Sequence, residues 1–293
     1  MDPAATRPAT PEEVARRTAT AHRFRKAILA SLVLIAWGML VTLYAWLGEP
    51  GWIEVTRHVV GVPRAGATPL RIVQIADLHL HDLGGRERRL AAAIRDVRPD
   101  LLVLGGDLVD RPDGLPLLDG FLALLPAGLR GVAVPGNREY WGGIERDELR
   151  RLLVRRGVTL LVNEALPLEH GGVPFAVLGL DDATTSRPEP ARAAGSAPLP
   201  LDVLAVTHSP WIRDGWTGPV PTFLLAAHTH GGQVTFLGYA PARPPGSGDY
   251  VAGWYRGPPF DAYVNRGFGT SILPLRLGAR PEVAVFDWWL KAR

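Results

Sequence analysis

The sequence predicts an α/β fold in which two β-sheets pack on each other with helices outside, preceded by one transmembrane helix. Three observations lead there. Short apolar runs alternate with amphipathic stretches through the first half, which implies parallel pairing with helices on the faces. The second half is richer in strands and loops, which suggests a second sheet against the first. An unbroken apolar stretch, Ala27–Leu47, lies near the N-terminus.

Residues 1–22 are polar and contain Pro and Ala, so disorder is expected until a helix begins near His22. Ala27–Leu47 carries no charge and, as a helix, spans roughly 30 Å, the hydrocarbon thickness of a bilayer. Trp46 and Trp52 flank its far end, as interfacial aromatics do. A core helix would show a polar stripe, and a signal peptide a small-residue cleavage site; Leu47-Gly48-Glu49-Pro50 offers none. Arg16-Arg17 is followed by Thr18-Ala19-Thr20, where a twin-arginine signal would be apolar. The expected organisation is a basic tail (1–26), a retained anchor (27–47) and one large domain (48–293).

Within that domain Ile53–Val60 reads as a first strand and Arg64–Pro69 as a turn. Glu87–Val97 is amphipathic at helical spacing and stops before Arg98-Pro99. Leu115–Leu125 and Ile144–Arg156 are two further helices, the latter closed by Gly157. Thr184–Pro200 is rich in Pro, Ala and Ser and reads as a mobile loop. Pro241–Asp249 is similar, either a plain surface loop or a rim to the site. Phe286–Arg293 reads as a last strand packing on the core in preference to a contact with lipid.

The formal charge is +3. It resides in residues 1–26, where Arg7, Arg16, Arg17, Arg23, Arg25 and Lys26 face only Asp2, Glu12 and Glu13. The remainder is balanced and offers no broad electrostatic footprint for nucleic acid. Only Arg57 and Arg64 closely follow the apolar stretch, so the positive-inside rule places the tail in the cytoplasm and the domain outside. The chain has no cysteine, which excludes disulfides and thiolate metal sites.

Five apolar runs end on polar residues. RIVQIA leads into Asp77 and His79, LLVLGG into Asp107, GVAVPG into Asn137, DVLAVT into His208, and TFLLAA into His228 and His230. Runs of this length bounded by Gly and Pro are buried strands, and sites in open α/β sheets gather at strand carboxyl ends. Taken singly, each residue is an ordinary turn residue beside a glycine. Converging, the seven suit divalent Mn, Fe or Zn, because carboxylate, imidazole and amide donors come without thiolate. Seven ligands exceed one tetrahedral ion but fit two ions ~3.5–4 Å apart.

The order D-x-H, G-D, G-N, H, H-x-H resembles the calcineurin-like metallophosphoesterases. Within them it is most similar to a membrane-associated bacterial branch of phosphodiesterases and UDP-2,3-diacylglucosamine-type pyrophosphatases. Glu49–His58, Asp249–Tyr255 and Asn265–Glu282 extend the likeness over most of Glu49–Asp287. The resemblance implies a metallophosphoesterase sandwich of two mixed sheets flanked by helices. It implies that Asp77, His79 and His230 hold one ion, that Asn137, His208 and His228 hold a second, and that Asp107 bridges them. Asn137, Arg138 and His208 are the expected catalytic residues, acting with a metal-activated hydroxide on a phosphodiester or pyrophosphate, lipid-linked or in the envelope.

One position departs from the pattern. The family has His where this chain has Arg138, and arginine, with a pKa above ~12, gives up no proton. Its planar fork still binds phosphate oxygens. Arg138 therefore argues for a good leaving group such as that of a pyrophosphate. The alternatives are neutral drift at the position, or a metal-binding envelope protein with weak or no turnover. His81 reads as an exposed loop histidine, with replacement of the lost proton donor as the sharper possibility.

Overall fold

The computed structural model describes residues 10–291. Two compact units meet between Ala45 and Trp46. The first is a single long helix, α1 (Pro11–Leu43), with no buried residue. The expected disorder up to His22 is corrected from residue 10 onward. Thr10 Oγ1 accepts from the Glu13 amide at 3.3 Å, and the Thr10 amide donates to Glu13 Oε2 at 2.9 Å. This capping box, with Pro11 in the first turn, starts the helix a full three turns early. Arg7 and Asp2 of the basic tail lie outside the described residues. The helical segment is long and apolar enough to cross a membrane.

The second unit holds twelve strands and five helices. Its first half runs β1 (Glu54–Val60), β2 (Leu70–Ile75), α2 (Gly85–Val97), β3 (Leu101–Leu104), α3 (Leu115–Ala123), β4 (Arg130–Ala133), α4 (Asn137–Trp141), α5 (Arg146–Arg155) and β5 (Val158–Leu160). Its second half runs β6 (Glu164–His170), β7 (Val173–Gly179), α6 (Pro190–Gly195), β8 (Val203–Val206), β9 (Phe223–Ala226), β10 (Gly253–Tyr255), β11 (Ala262–Val264) and β12 (Glu282–Trp288).

The strands form two mixed six-stranded sheets, ordered β1-β12-β2-β3-β4-β5 and β10-β11-β9-β8-β7-β6. In the first, β2 through β5 are parallel and β12 returns antiparallel beside β2. In the second, β7, β8, β9 and β11 are parallel. The central strands read as continuous apolar runs because both faces are covered. Along β2, Ile72 enters the layer between the sheets while Val73 enters the layer beneath the helices. Val103, Val132, Phe286 and Trp288 of the first sheet meet Val177, Val206, Phe223 and Leu225 of the second. Leu90, Ile94, Phe121, Leu149 and Leu153 from α2, α3 and α5 cover the outer face of the first sheet.

The last strand packs on the core as expected, with Trp288 fully buried; Ala292 and Arg293 lie outside the described residues. Thr184–Pro200 differs from the expected mobile loop. It contains α6, whose Ala193 is buried, and the Thr184 and Thr185 hydroxyls both donate to Asp182 Oδ2. Pro190 at the first helical turn and the alanines after it supply the helix start and propensity.

Candidate metal centre

All seven residues lie just past strand ends: Asp77 and His79 after β2, Asp107 after β3, Asn137 after β4, His208 after β8, His228 and His230 after β9. All seven are buried. The chain must turn sharply to leave a buried strand and still aim a side chain inward. Five of them take left-handed backbone: Asp77 (φ 48°), His79 (42°), Asp107 (51°), His228 (73°) and His230 (51°). Such conformations are costly for residues with a Cβ and persist where surrounding structure dictates them. The preceding glycines are sterically required. A Cβ at Gly106 would lie 2.7 Å from the Gly136 amide nitrogen, and one at Gly136 would collide with the Asp107 carboxylate.

The donors fall into two groups, Asp77/His79/His230 and Asp107/His208/His228, each close enough to hold one ion. His79 Nε2 lies 3.3 Å from His230 Nε2, and His228 Nδ1 lies 3.0 Å from His208 Nε2. Asn137 Oδ1 joins the second group, 3.2 Å from His208 Nε2. Asp107 Oδ2 faces both, 3.6 Å from His79 Nε2 and 3.4 Å from His208 Nε2.

The far nitrogens of three imidazoles are engaged elsewhere: His79 Nδ1 with Asp110 Oδ1 at 2.6 Å, His208 Nδ1 with the Gly105 carbonyl at 2.8 Å, and His228 Nε2 with the Pro245 carbonyl at 2.6 Å. Donation to those acceptors leaves the inward nitrogens with free lone pairs, as metal ligation requires.

The buried charges fit a cation. Asp77 Oδ1 is buried without a hydrogen-bond partner. Burial pushes Asp77 up to about 6, against the pull of His208. Burial also opposes the charge on Asp107, but His208 and His79 beside it hold that carboxyl below the usual range. Burial, reinforced by His208, lowers His228 to about 4. Carboxylates and imidazoles packed this densely and this deeply are costly alone, and a divalent cation offsets that cost. The residues present therefore suit divalent metal.

Three important residues escaped the sequence reading. Glu139 is buried and its carboxylate accepts the backbone amides of Asp107 (3.1 Å), Leu108 (2.7 Å) and Gly136 (2.8 Å), tying the G-D loop to the G-N loop. Its place three residues after Gly136, at a helix start, was a readable capping signal. Asp182 accepts the Ser209 hydroxyl at 2.9 Å beside His208, and Asp-Ala-Thr-Thr was a readable turn signal. Asp110, which holds His79, had no local signature.

Arg138 opens α4. Its amide donates to Asp107 Oδ1 at 2.8 Å and its Nη2 to Ser271 Oγ at 2.7 Å. Together with Asp107, Asn137, His228 and His230 it lines a cavity of about 610 Å³. Pro241–Pro245 line the same cavity, so this loop does rim the site. His81 is exposed, with Nε2 3.4 Å from Asp110 Oδ2, on the far side of that carboxylate from His79.

Residues 70–236 match the calcineurin-like phosphoesterase family. Phosphodiesterase YaeI of Escherichia coli is 33% identical, over 82% of this chain and 89% of its own. The uncharacterized metallophosphoesterase YkuE of Bacillus subtilis is 31% identical, over 83% and 88%. UDP-2,3-diacylglucosamine pyrophosphatase LpxG of Chlamydia muridarum is 32% identical, over 69% and 76%. On its matched motifs, its two-sheet fold and these relatives, the chain belongs to the calcineurin-like phosphoesterases, metal-dependent hydrolases of phosphoric esters.

Proposed function

We propose that this chain is a membrane-anchored phosphoesterase with two metal ions, hydrolysing a phosphodiester or pyrophosphate bond of a lipid-linked or envelope substrate. One atom carries the reading: Asp107 Oδ2 faces His79 of one donor group and His208 of the other. A carboxylate so placed is suited to hold two ions together. Asp77, His79 and His230 would hold one, and Asn137, His208 and His228 the other. Two divalent ions, Mn, Fe or Zn, supply an activated water and charge for the phosphoryl oxygens.

The chain's own residues do the rest. Asp110, the Gly105 carbonyl and the Pro245 carbonyl fix the orientation of three ligand imidazoles. Arg138 binds phosphoryl oxygens from the cavity wall and releases no proton to a departing group. Rate then depends on how well that group leaves, which favours a pyrophosphate over an unactivated alkyl ester. Arg138 also supports a second reading, a metal-binding envelope protein with weak or no turnover.

Three features support the membrane setting: the apolar segment within α1, the basic residues before it, and a relative named as a diacylglucosamine pyrophosphatase. The tail is cytoplasmic and the domain extracytoplasmic. With the opposite orientation the chain would instead serve as a nucleotide–lipid pyrophosphatase facing the cytosol.

The test is side-by-side turnover of phosphodiesters, monoesters and nucleotide-sugar pyrophosphates by the detergent-solubilised full chain with Mn. Hydrolysis of the first or last class is expected. No turnover of any, even with activated aryl esters, would leave the binding-protein reading. A reporter fused after Arg293 should report an extracytoplasmic position; a cytosolic signal would reverse the orientation.

A further inference from the structure

Large apolar side chains stand almost fully in solvent at the mouth of the metal cavity. Leu237 is 93% exposed, Ile272 95% and Phe236 75%. Trp141, Tyr239 and Leu273 are exposed beside them. Ile272, Leu273, Trp141 and Val234 line the cavity that Asp107, His228 and His230 close at its inner end. The Phe236–Tyr239 turn lies between Val234 and Pro241, which also lines the cavity. Contiguous apolar surface of this kind is uncommon on a water-facing protein and marks a binding surface.

These tips are displayed by a braced framework. Phe236 and Tyr239 exchange backbone hydrogen bonds at 3.0 and 2.9 Å. The Gln233 amide, at the end of the H-T-H-G-G-Q motif, donates to the Ser271 and Leu273 carbonyls at 3.0 and 2.9 Å and accepts the Ser271 amide at 2.8 Å. Leu237 and Ile272 both take left-handed backbone, which a β-branched isoleucine strongly disfavours. A loop that merely wandered through solvent would relax; here the strained conformation is what points Ile272 outward.

Two guanidinium groups, Arg138 and Arg243, line the same cavity, so apolar tips and positive charge share one mouth. That pairing matches an anionic lipid surface, whose acyl boundary takes leucine, phenylalanine and tyrosine and whose headgroups take arginine. Residues 48–53 alone separate the apolar segment from β1, so a chain anchored by that segment meets bilayer at high effective concentration.

We propose that Phe236, Leu237 and Ile272 dock the mouth of the metal cavity onto the surface of a lipid bilayer. Docking would let a phosphoester at the bilayer surface pass to the metal ligands without crossing water.

The chain has no cysteine, so Leu237→Cys creates a single labelling site. The full chain, placed in nanodiscs of anionic lipid, would carry an environment-sensitive fluorophore there. A blue-shifted emission, quenched by lipids brominated near the headgroup, is expected. Val154→Cys, exposed on α5, is the control and should stay water-like. This readout needs no turnover, so it stands apart from the phosphoesterase reading.

The second arm is Phe236→Ser with Leu237→Ser, neither of which lines the cavity itself. The combination should slow hydrolysis of a bilayer phosphodiester by about tenfold or more, since two large apolar side chains leave the lipid. Hydrolysis of a soluble aryl phosphodiester should be unchanged. Three outcomes would overturn docking. A water-like probe at residue 237 in nanodiscs is one. Shielding that grows with protein concentration and ignores lipid quenchers would assign the patch to a second copy of the chain. Equal loss on a monomeric short-chain lipid below its micelle concentration would make the patch an acyl-chain subsite instead.

Discussion

The two sheets bring different chemistry to one site. The first supplies both carboxylates, the amide and one imidazole, from Asp77, Asp107, Asn137 and His79; the second supplies only imidazoles, from His208, His228 and His230. Each donor group nevertheless draws on both sheets, because His230 joins Asp77 and His79 while Asp107 joins His208 and His228. Neither half alone carries a complete donor group. The apolar layer between the sheets is thus part of the metal centre, since it sets the distance across which the groups are completed.

The halves are also braced differently. On the first sheet Glu139 gathers backbone amides, which only donate. On the second, Asp182 accepts three hydroxyls, from Thr184, Thr185 and Ser209, which can rotate and accept instead, and two backbone amides, from Thr184 and Thr185.

The largest test breaks the sharing itself. Asp107→Asn removes the charge facing both groups, and turnover and tight metal binding should be lost together, read by metal content and activity. Near-normal activity with two ions still bound would end the dinuclear assignment. Next, the braces can be compared. Glu139→Gln should weaken metal affinity by about 10–100-fold and stability by about 1–3 kcal/mol, because an amide NH₂ would face backbone donors in a buried site. Asp182→Asn should cost less on both counts, since three of its five partners are hydroxyls that can turn. Calorimetric metal titration and thermal unfolding decide the order, and the reverse order would refute the argument from donor type.

Arg138→His restores a group able to protonate a leaving oxygen. It should raise the rate on poor leaving groups by about tenfold or more and leave activated aryl esters little changed, flattening the dependence of rate on leaving-group pKa. A slope unaltered both here and in His81→Ala would mean that solvent or metal-bound water supplies the proton. The smallest effect belongs to His81→Ala. His81 is exposed and touches only the outer oxygen of Asp110, so turnover should stay within about twofold, as for most surface changes. A steepened leaving-group dependence would instead identify His81 as the donor.

Much of this was legible locally. Short apolar runs bounded by glycine read as strands, and the polar residue after each lies at a strand end because a buried run must surface through a turn. The start of α1 was equally local but was placed too late, since Thr10, Pro11 and Glu13 already spelled a cap. The helix inside Thr184–Pro200 was hidden by its proline and serine content. The Pro241–Asp249 loop read evenly as surface or rim; the cavity it lines and the contact of its Pro245 carbonyl with His228 exist only in the folded chain.

The sequence by itself determined the strand succession, the seven polar residues at the strand ends and the presence of an apolar segment long enough for a bilayer. Each is a property of residues within one turn or one strand. The tertiary structure alone decided that β12 enters between β1 and β2, that Asp107 faces both donor groups, and that Asp110, Glu139 and Asp182 stand behind the ligands. Those contacts join residues far apart in sequence. They form only when two sheets pack, so no local pattern encodes them.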